Sequence, residues 1–462
     1  MQRIGIAPGL VACLLAARVD AFPAEMINDA GPGAKRINTI IVGDGFRDSD
    51  QAALTTQGKA VWDTMRSYAS YGNYAAFLNV KLIHAVSSDY GARGGDHPPS
   101  SPTIFDGYFG CGGIDRLPCL GNETALWQVI RESAPEYDPS HDLLIVLLND
   151  TKYGGGTGTY VIFSVGAGPS IAVHESGHAF AALDDEYSSS GGGACGADCP
   201  GPNTTTIADP TQIKWRLWIE PGTPVPTPEG SVPPQTIGLF EGAHYMPTGA
   251  YRPRQNCVMR QGDTTFCAPC GEALVLGLYA KTDPIETPIP EDTAVKIGPS
   301  GCVRLSYDGP KPNPNTLESI WTIDTAAAGA GTSLDVSASA LGQGSHTVEL
   351  TVTDKTGLVR KDVNGTLTSK RSWTVAVDPS GSNQACVDGG TGGTAGVGGS
   401  AGTARSADAE TAGNDPGPRG DPIDRTGCLC NLARHDRSGH AALLLVAAAL
   451  ALRSRRADRV RR

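Results

Sequence analysis

Apolar segments and longer amphipathic segments alternate along the first part of this 462-residue chain. Runs rich in Val, Ile and Leu predict strands at 38–44, 78–87, 142–149 and 160–165. Helices are expected between these runs, near 48–70 and 123–134. Such alternation of strands and helices is typical of an α/β domain.

A different pattern begins after residue 284, where polar and apolar residues alternate with a period of two. The segments that follow it are 294–297, 319–323, 333–337, 346–354 and 372–377. This spacing predicts an all-β sandwich over 285–380. It resembles the Ig-like and PKD-like modules appended to secreted hydrolases, most clearly at 346–354. Substrate binding and a spacer role both remain open, because a fold does not determine function.

The clearest chemical signal follows the last predicted strand of the first domain. His174, Glu175 and His178 form an H-E-x-x-H pattern, which a Gly- and Pro-containing break separates from the strand. Residues four apart share one face of a helix, so both imidazoles could bind one zinc ion. Glu175 would then face the attacking water as the general base. A zinc hydrolase is the leading hypothesis.

The third zinc ligand is expected among three successive carboxylates. A metzincin-like spacing with a turn glycine at position 181 would select Asp184, but that position is alanine. A helix that is one residue longer would turn near Ala182 and present Asp185 instead. We therefore predict Asp185 as the ligand, with Asp184 second and Glu186 third.

Residues 174–187 resemble the H-E-x-G-H-x-x-x-G-L-x-D-E-Y signature of the secreted IgA-peptidase-like metallopeptidases. The chain departs from it at Ala182, where the family usually has glycine and where alanine disfavours positive φ. Further segments resemble the same family at 36–45, 109–116 and 242–253. The resemblance spans about 36–283 and implies a metzincin-like zinc protease domain that hydrolyses protein or peptide substrates.

Other residues near these segments could also belong to the active site. Residues 256–260 resemble a Met-turn, which would place Met259 beneath the histidines. Tyr245 and Tyr251 could stabilise an oxyanion or simply pack, so neither enters the predicted site. His244 is not expected to bind the metal, because two histidines and a carboxylate complete the usual set.

Cysteine spacing predicts a disulfide-bonded protein from an oxidising compartment. Nine of the 12 cysteines lie outside the terminal segments, so one thiol is left over. A Cys267-Ala-Pro-Cys270 motif could be half of a zinc ribbon, but no second C-x-x-C completes it, and a disulfide is expected. The expected pairs are Cys111 with Cys119, Cys195 with Cys199, Cys257 with either Cys267 or Cys270, and Cys302 with Cys386.

The N-terminal segment predicts export. Residues 1–21 combine a charged start, an apolar run and a small-residue cleavage site at Val19-Asp20-Ala21, as in a signal peptide. A lipoprotein box ending at Cys13 is the alternative.

The C-terminal segments predict attachment to the cell surface. Residues 387–426 are rich in Gly, Thr, Ala and Ser and would form a flexible linker. Residues 427–462 resemble a myxobacterial C-terminal sorting tag, with Cys428 as the expected processed residue. A weak tail anchor is the alternative, since the apolar run 441–452 is shorter than the roughly 20 residues of a membrane span. Location at the outer membrane, on the cell surface or outside the cell is expected.

A net charge of −11 argues against nucleic acid as a partner, because nucleic-acid binding requires a basic face. The sequence as a whole predicts an exported, surface-tethered zinc endopeptidase. The alternative is an inactive surface adhesin that retains a protease fold, and the presence of Glu175 favours the enzyme. The substrate and the oligomeric state are not predicted.

Overall fold

The computed structural model describes residues 21–189, 193–260 and 265–386. Within these ranges, no helix is long and apolar enough to cross a membrane. The predicted signal peptide at 1–21, apart from its last residue, lies outside the described residues. So do the predicted linker at 387–426 and the predicted tag at 427–462.

The first region is a mixed α/β structure. Its strands are β1 (Ala24–Asn28), β2 (Ile37–Asp44), β3 (Leu78–Ile83), β4 (Gly107–Phe109), β5 (Pro118–Leu120), β6 (Leu143–Leu148), β7 (Gly155–Thr157), β8 (Val161–Ser164), β9 (Phe240–Ala243) and β10 (Met246–Arg252). Its helices are α1 (Gln51–Arg66), α2 (Ala69–Gly72), α3 (Glu123–Ser133), α4 (Pro169–Ala181) and α5 (Ala268–Tyr279). All the predicted strands and helices of this region are present.

Two of the predicted elements have different limits. The strand predicted at 78–87 ends at Ile83, because the chain then leaves the sheet and the N–H of Ser87 bonds to the carbonyl of Phe46. The helix predicted at 48–70 divides into α1 and α2. Ser67 caps the C-terminus of α1, and its N–H bonds to the carbonyl of Thr64 three residues earlier.

Six strands form the central sheet in the order β1-β3-β2-β6-β8-β7. Strands β3, β2, β6 and β8 are parallel, whereas β1 and β7 run antiparallel at the two edges. Helices α1, α4 and α5 cover one face of the sheet, and α3 covers the other. Strands β2 and β6 are buried along their whole length, which explains why they read as continuous apolar runs.

The second region is built mainly of strands. They are β11 (Thr287–Ile289), β12 (Ala294–Ile297), β13 (Cys302–Asp308), β14 (Leu317–Ile323), β15 (Ala326–Ala330), β16 (Ser333–Ser337), β17 (Gly344–Asp354) and β18 (Thr368–Val377), with one short helix, α6 (Ala338–Leu341), among them. One sheet has the order β11-β13-β16, and the other has the order β12-β18-β17-β14-β15. Side chains of both sheets form a single core, in which the rings of Trp321 and Trp373 stack 5.7 Å apart.

Buried polar contacts dock the second region onto the first. Asp354 accepts hydrogen bonds from the hydroxyls of Tyr74 and Tyr279, each at 2.8 Å. Glu272 on α5 accepts from the backbone N–H groups of residues 360 and 361 at 2.6 and 3.0 Å. The β-rich region is therefore packed against α5, the helix that also contacts α4.

Three of the predicted disulfides are present, joining Cys111 to Cys119, Cys195 to Cys199 and Cys302 to Cys386. The predicted bond from Cys257 to Cys267 or Cys270 is wrong, because all three of these thiols are free and buried. Sγ of Cys270 lies 3.8 Å from Sγ of Cys257 and 3.3 Å from Sγ of Cys267, well beyond the S–S bond of about 2.05 Å. The sulfurs instead surround the carboxylate of Glu186, a residue distant in sequence.

Candidate active site

Helix α4 presents two imidazoles from one face. It begins at Pro169 directly after the loop that follows β8, so the predicted strand-to-helix arrangement is confirmed. The Nε2 atoms of His174 and His178 lie 3.3 Å apart. Nδ1 of His174 lies 2.9 Å from the carbonyl oxygen of Val258, and Nδ1 of His178 contacts the carbonyl oxygen of Leu183. An Nδ1–H donated to each carbonyl leaves both Nε2 lone pairs available to a metal.

Asp185 completes a group of three donors. Its Oδ1 lies 3.0 Å from Nε2 of His174 and 3.5 Å from Nε2 of His178. This oxygen is buried and has no hydrogen-bond donor of its own. The other oxygen, Oδ2, accepts a hydrogen bond from the hydroxyl of Tyr245, which orients the carboxylate.

The electrostatics of the three donors favour a cation between them. Burial opposes ionisation of Asp185, yet the two nearby imidazoles and the hydroxyl of Tyr245 hold its pKa well below the usual range. Burial likewise disfavours charged imidazoles, but Asp185 raises the pKa of His174 and of His178 above the ordinary value. The group therefore requires positive charge, which protons or a metal ion can supply.

The turn after α4 determines which carboxylate reaches the histidines. Ala182 caps the helix in the left-handed conformation, with φ 48° and ψ 37°. The predicted turn at Ala182 is thus confirmed, although the left-handed conformation destabilises alanine by about 1–2 kcal/mol. Asp185 is the residue that this turn places beside the imidazoles.

The other two candidate ligands face away from the histidines. Asp184 accepts hydrogen bonds from the N–H of Gly201 at 2.7 Å and from the hydroxyl of Thr204. Its Oδ2 also lies 3.3 Å from Nδ1 of His244, so that histidine is directed toward Asp184. Glu186 is fully buried on the opposite side, where burial raises its pKa well above the ordinary value.

Glu175 lies beside the two histidines. One donor atom each from His174, Glu175 and His178 falls within 4.8 Å of the others. The side chain borders the cleft and is only slightly exposed. Burial raises the pKa of Glu175, while positive charge on the imidazoles opposes this shift. Glu175 is therefore a largely buried carboxyl group beside both imidazoles.

Met259 lies beneath α4, as predicted from the Met-turn resemblance. It is fully buried, and a Cβ added to Gly177 would lie only 2.8 Å from its sulfur. The carbonyl of Met259 accepts the N–H of Glu186 at 2.7 Å, next to the Val258 carbonyl that contacts His174. The loop that contains Met259 thus supports both the helix and the turn.

A cleft borders the site. It consists of two cavities of about 470 and 510 Å³. The residues that line both cavities are Arg116, Gly155, His174, Glu175 and Tyr187. Strand β7 lines one side of the cleft and is one of the two edge strands of the central sheet.

Sequence reasoning missed several cleft residues. Arg116 lies in the loop closed by the first disulfide, and the only sequence signal for it was the family resemblance of 109–116. Tyr187 is the last residue of the signature and borders both cavities. Tyr245 contacts Asp185, whereas Tyr251 pairs with Glu241 between β9 and β10 and does not line either cavity.

Comparison with known families agrees with this geometry. The sequence model of the IgA peptidase M64 family matches residues 26–233 and 229–278, which together cover more than half of the chain. The chain belongs to the IgA peptidase M64 family. This M64 protein is therefore a peptidase of the metallopeptidase type, and its predicted resemblance to that family is confirmed. A search among curated proteins finds no match to the chain.

Proposed function

We propose that this M64 protein is an exported zinc endopeptidase held at the cell surface. In this proposal His174, His178 and Asp185 bind zinc, and Glu175 is the general base. The observation that carries the proposal is the convergence of Asp185 Oδ1 on both Nε2 atoms, beside Glu175 and within the cleft.

The donor set fits catalytic zinc. Catalytic zinc sites combine three nitrogen, oxygen or sulfur ligands with one open position. Two imidazole nitrogens and one carboxylate oxygen meet that requirement, and the buried Oδ1 of Asp185 otherwise has no partner. Leaving such an oxygen unpaired would be costly. Tyr245 and the carbonyls behind the imidazoles are the outer hydrogen-bond partners that orient such ligands.

Catalysis combines the metal with the base. Bound zinc supplies a Lewis acid that polarises the scissile carbonyl and lowers the pKa of water to about 7. Glu175 accepts a proton as water attacks the carbonyl carbon and then delivers it to the leaving amine nitrogen as the C–N bond breaks. Its raised pKa favours the first step, because the carboxylate takes up the proton more readily.

The shape of the cleft supports cleavage within a chain. Two cavities that share Glu175 in their lining can accept residues on both sides of the scissile bond. Strand β7 pairs only with β8 among the strands of its sheet, so its other edge can bond to an extended peptide. Exposed Arg116 adds a positive charge at the point where the two cavities meet.

The test uses the purified full chain and a denatured proteome as substrate. Wild-type protein should produce new peptide termini, whereas Glu175→Gln should produce almost none while keeping its zinc. The sequences around the new termini would define the specificity, which the family name does not. An active Glu175→Gln variant would contradict the assigned base. An inactive adhesin is not favoured by any contact of the described residues.

The proposed domain organisation and location extend the sequence predictions. We assign a metzincin-like catalytic domain to 36–283 and an Ig-like or PKD-like sandwich to 285–380, supported by the shared core of its two sheets. Three disulfides support an oxidising compartment outside the cytoplasm. The partners are then protein or peptide substrates, and a membrane reached through the processed tag, with no role for nucleic acid.

Mass spectrometry of the mature C-terminus tests the proposed attachment to the cell surface. Processing at Cys428 should remove the arginine-rich end. A mature protein that still ends at Arg462 would contradict it.

A further inference from the structure

A second group of potential metal ligands lies behind the turn that contains Asp185. Its members are Glu186, Cys257, Cys267 and Cys270, and all four are buried. One donor atom from each lies within 4.8 Å of all the others. The four residues come from three segments: the turn after α4, the loop that contains Met259, and the start of α5. The spacing of these cysteines in the sequence predicts a disulfide from Cys257 to either Cys267 or Cys270 instead.

The spacing of the donor atoms suits a tetrahedral metal. Zinc–sulfur bonds of about 2.3 Å place two sulfurs about 3.8 Å apart in a tetrahedron. The sulfur of Cys270 lies 3.8 Å from that of Cys257 and 3.3 Å from that of Cys267. Oε1 of Glu186 lies 3.1 Å from the sulfur of Cys270 and 3.9 Å from that of Cys267. One sulfur–sulfur separation equals the expected value, and the other is 0.5 Å shorter.

Local contacts partly offset the cost of burying negatively charged ligands in this group. Cys267 caps α5 and Cys270 lies in its first turn, where the positive end of the helix stabilises thiolates. The backbone N–H of Cys267 donates to the sulfur of Cys257 at 3.2 Å. Asn203 donates to Oε1 of Glu186 at 3.0 Å. Each contact supports an anionic donor in a site that water does not reach.

One atom of the group has no partner. Oε2 of Glu186 is buried and makes no hydrogen bond in the described structure. Burying an unpaired carboxylate oxygen is costly, and a cation bound by the same carboxylate would reduce that cost by neutralising its charge. A disulfide between any two of these cysteines would leave this oxygen and the remaining thiol without compensation.

We propose that Cys257, Cys267, Cys270 and Glu186 bind a structural Zn²⁺ ion. Three sulfurs and one oxygen complete a four-coordinate site with no open position, which distinguishes it from the histidine site. The site lies outside the cleft, since none of the four residues lines either of its cavities. Its role is structural.

The proposed ion would stabilise the active site from behind. Glu186 directly follows Asp185, and its N–H bonds to the carbonyl of Met259. Cys257 lies in the same loop, one residue before the Val258 carbonyl that contacts His174. A metal that joins Glu186, this loop and α5 would therefore fix both the helix support and the ligand-bearing turn.

Metal analysis of the full chain tests this proposal. Wild type should contain two zinc ions per chain and His178→Ala one. Cobalt bound to His178→Ala should show thiolate-to-cobalt charge transfer in the near ultraviolet. Cys270→Ser should lose that band, whereas the double variant Cys195→Ser/Cys199→Ser, which removes a disulfide, should keep it. The His178→Ala background makes the result independent of the histidine site.

Cysteine mapping gives a second readout that does not require any variant to fold. After denaturation without reductant and in the presence of a chelator, Cys257, Cys267 and Cys270 should all react with an alkylating reagent. A disulfide-linked peptide joining Cys257 to Cys267 or Cys270 would overturn the proposal. A His178→Ala protein that contains no metal and shows no cobalt–thiolate band would also overturn it.

Discussion

Two donor groups lie on opposite sides of the dipeptide Asp185-Glu186. The histidine site borders the cleft, and the side chains of His174 and His178 are 16% and 20% exposed. The cysteine group is sealed, and Glu186 has no exposed surface. The two neighbouring carboxylates thus lie in different surroundings, since Asp185 lines the cleft and Glu186 is fully buried. If both groups bind metal as proposed, access to solvent, more than ligand type, separates the site that can accept a substrate from the structural site.

The largest effect should follow from changing the proposed base of the histidine site. Glu175→Gln should lower kcat/KM by about 10²–10⁴-fold, the usual contribution of a general base, without loss of zinc. Peptide hydrolysis and metal content measured on one preparation check this. The exposed Glu132→Gln on α3 is the matched control and should keep full activity. Equal activity of both variants would remove the functional distinction between Glu175 and an ordinary surface carboxylate.

A chelator should remove metal from the two sites at different rates. The exposed histidine site should release its metal first, so activity should be lost while the protein stays folded. The sealed cysteine site should release its metal only with unfolding, because structural zinc binding is coupled to folding. Activity, circular dichroism and zinc release followed together would show this order. Simultaneous loss of activity and fold would mean that the two groups do not differ in the proposed way.

Removing the hydroxyl that orients Asp185 should weaken only the open site. Tyr245→Phe should reduce zinc affinity at the histidine site by about 10–100-fold, as losses of outer hydrogen-bond partners usually do. Titration with a competing chelator measures this change. The cobalt–thiolate absorption of the cysteine site should be unchanged, and a parallel loss there would show that Tyr245 supports the whole turn.

The smallest effect concerns the turn that directs the two carboxylates. Ala182→Gly should raise stability by about 0.5–1 kcal/mol, because glycine adopts φ 48° without steric cost. Ala181→Gly, one residue earlier and inside α4, is the matched control and should lower stability by about 1 kcal/mol. Urea denaturation of both variants measures the difference. Destabilisation by Ala182→Gly would contradict the assigned role of this turn.

Local features of the site could be read from the sequence. Helical spacing puts His174 and His178 on one face, and the absent glycine at 181 moves the turn to Ala182. Both depend on residues close in sequence, so the placement of Asp185 followed from short-range geometry. Arg116 could not be assigned a role in this way. It lies in a disulfide-closed loop and borders the cleft together with residues of α4 that are distant in sequence.

The cysteine group could not be predicted from the sequence. Pairing Cys257 with Cys267 or Cys270 used only their spacing, and spacing does distinguish the short disulfide loops that are present. It could not show that Glu186 would meet three sulfurs. That meeting requires the turn after α4, the loop with Met259 and α5 to pack together.

The sequence by itself determined the metallopeptidase motif, the alternating α/β pattern and the β-rich second region, because each is encoded in periodicities of a few residues. Only the tertiary structure decided which groups surround Glu186, which residues border the cleft and which donors are buried away from solvent. Burial and convergence depend on packing between segments far apart in the chain. Burial and the convergence of side chains therefore arise only when the helices pack against the sheet.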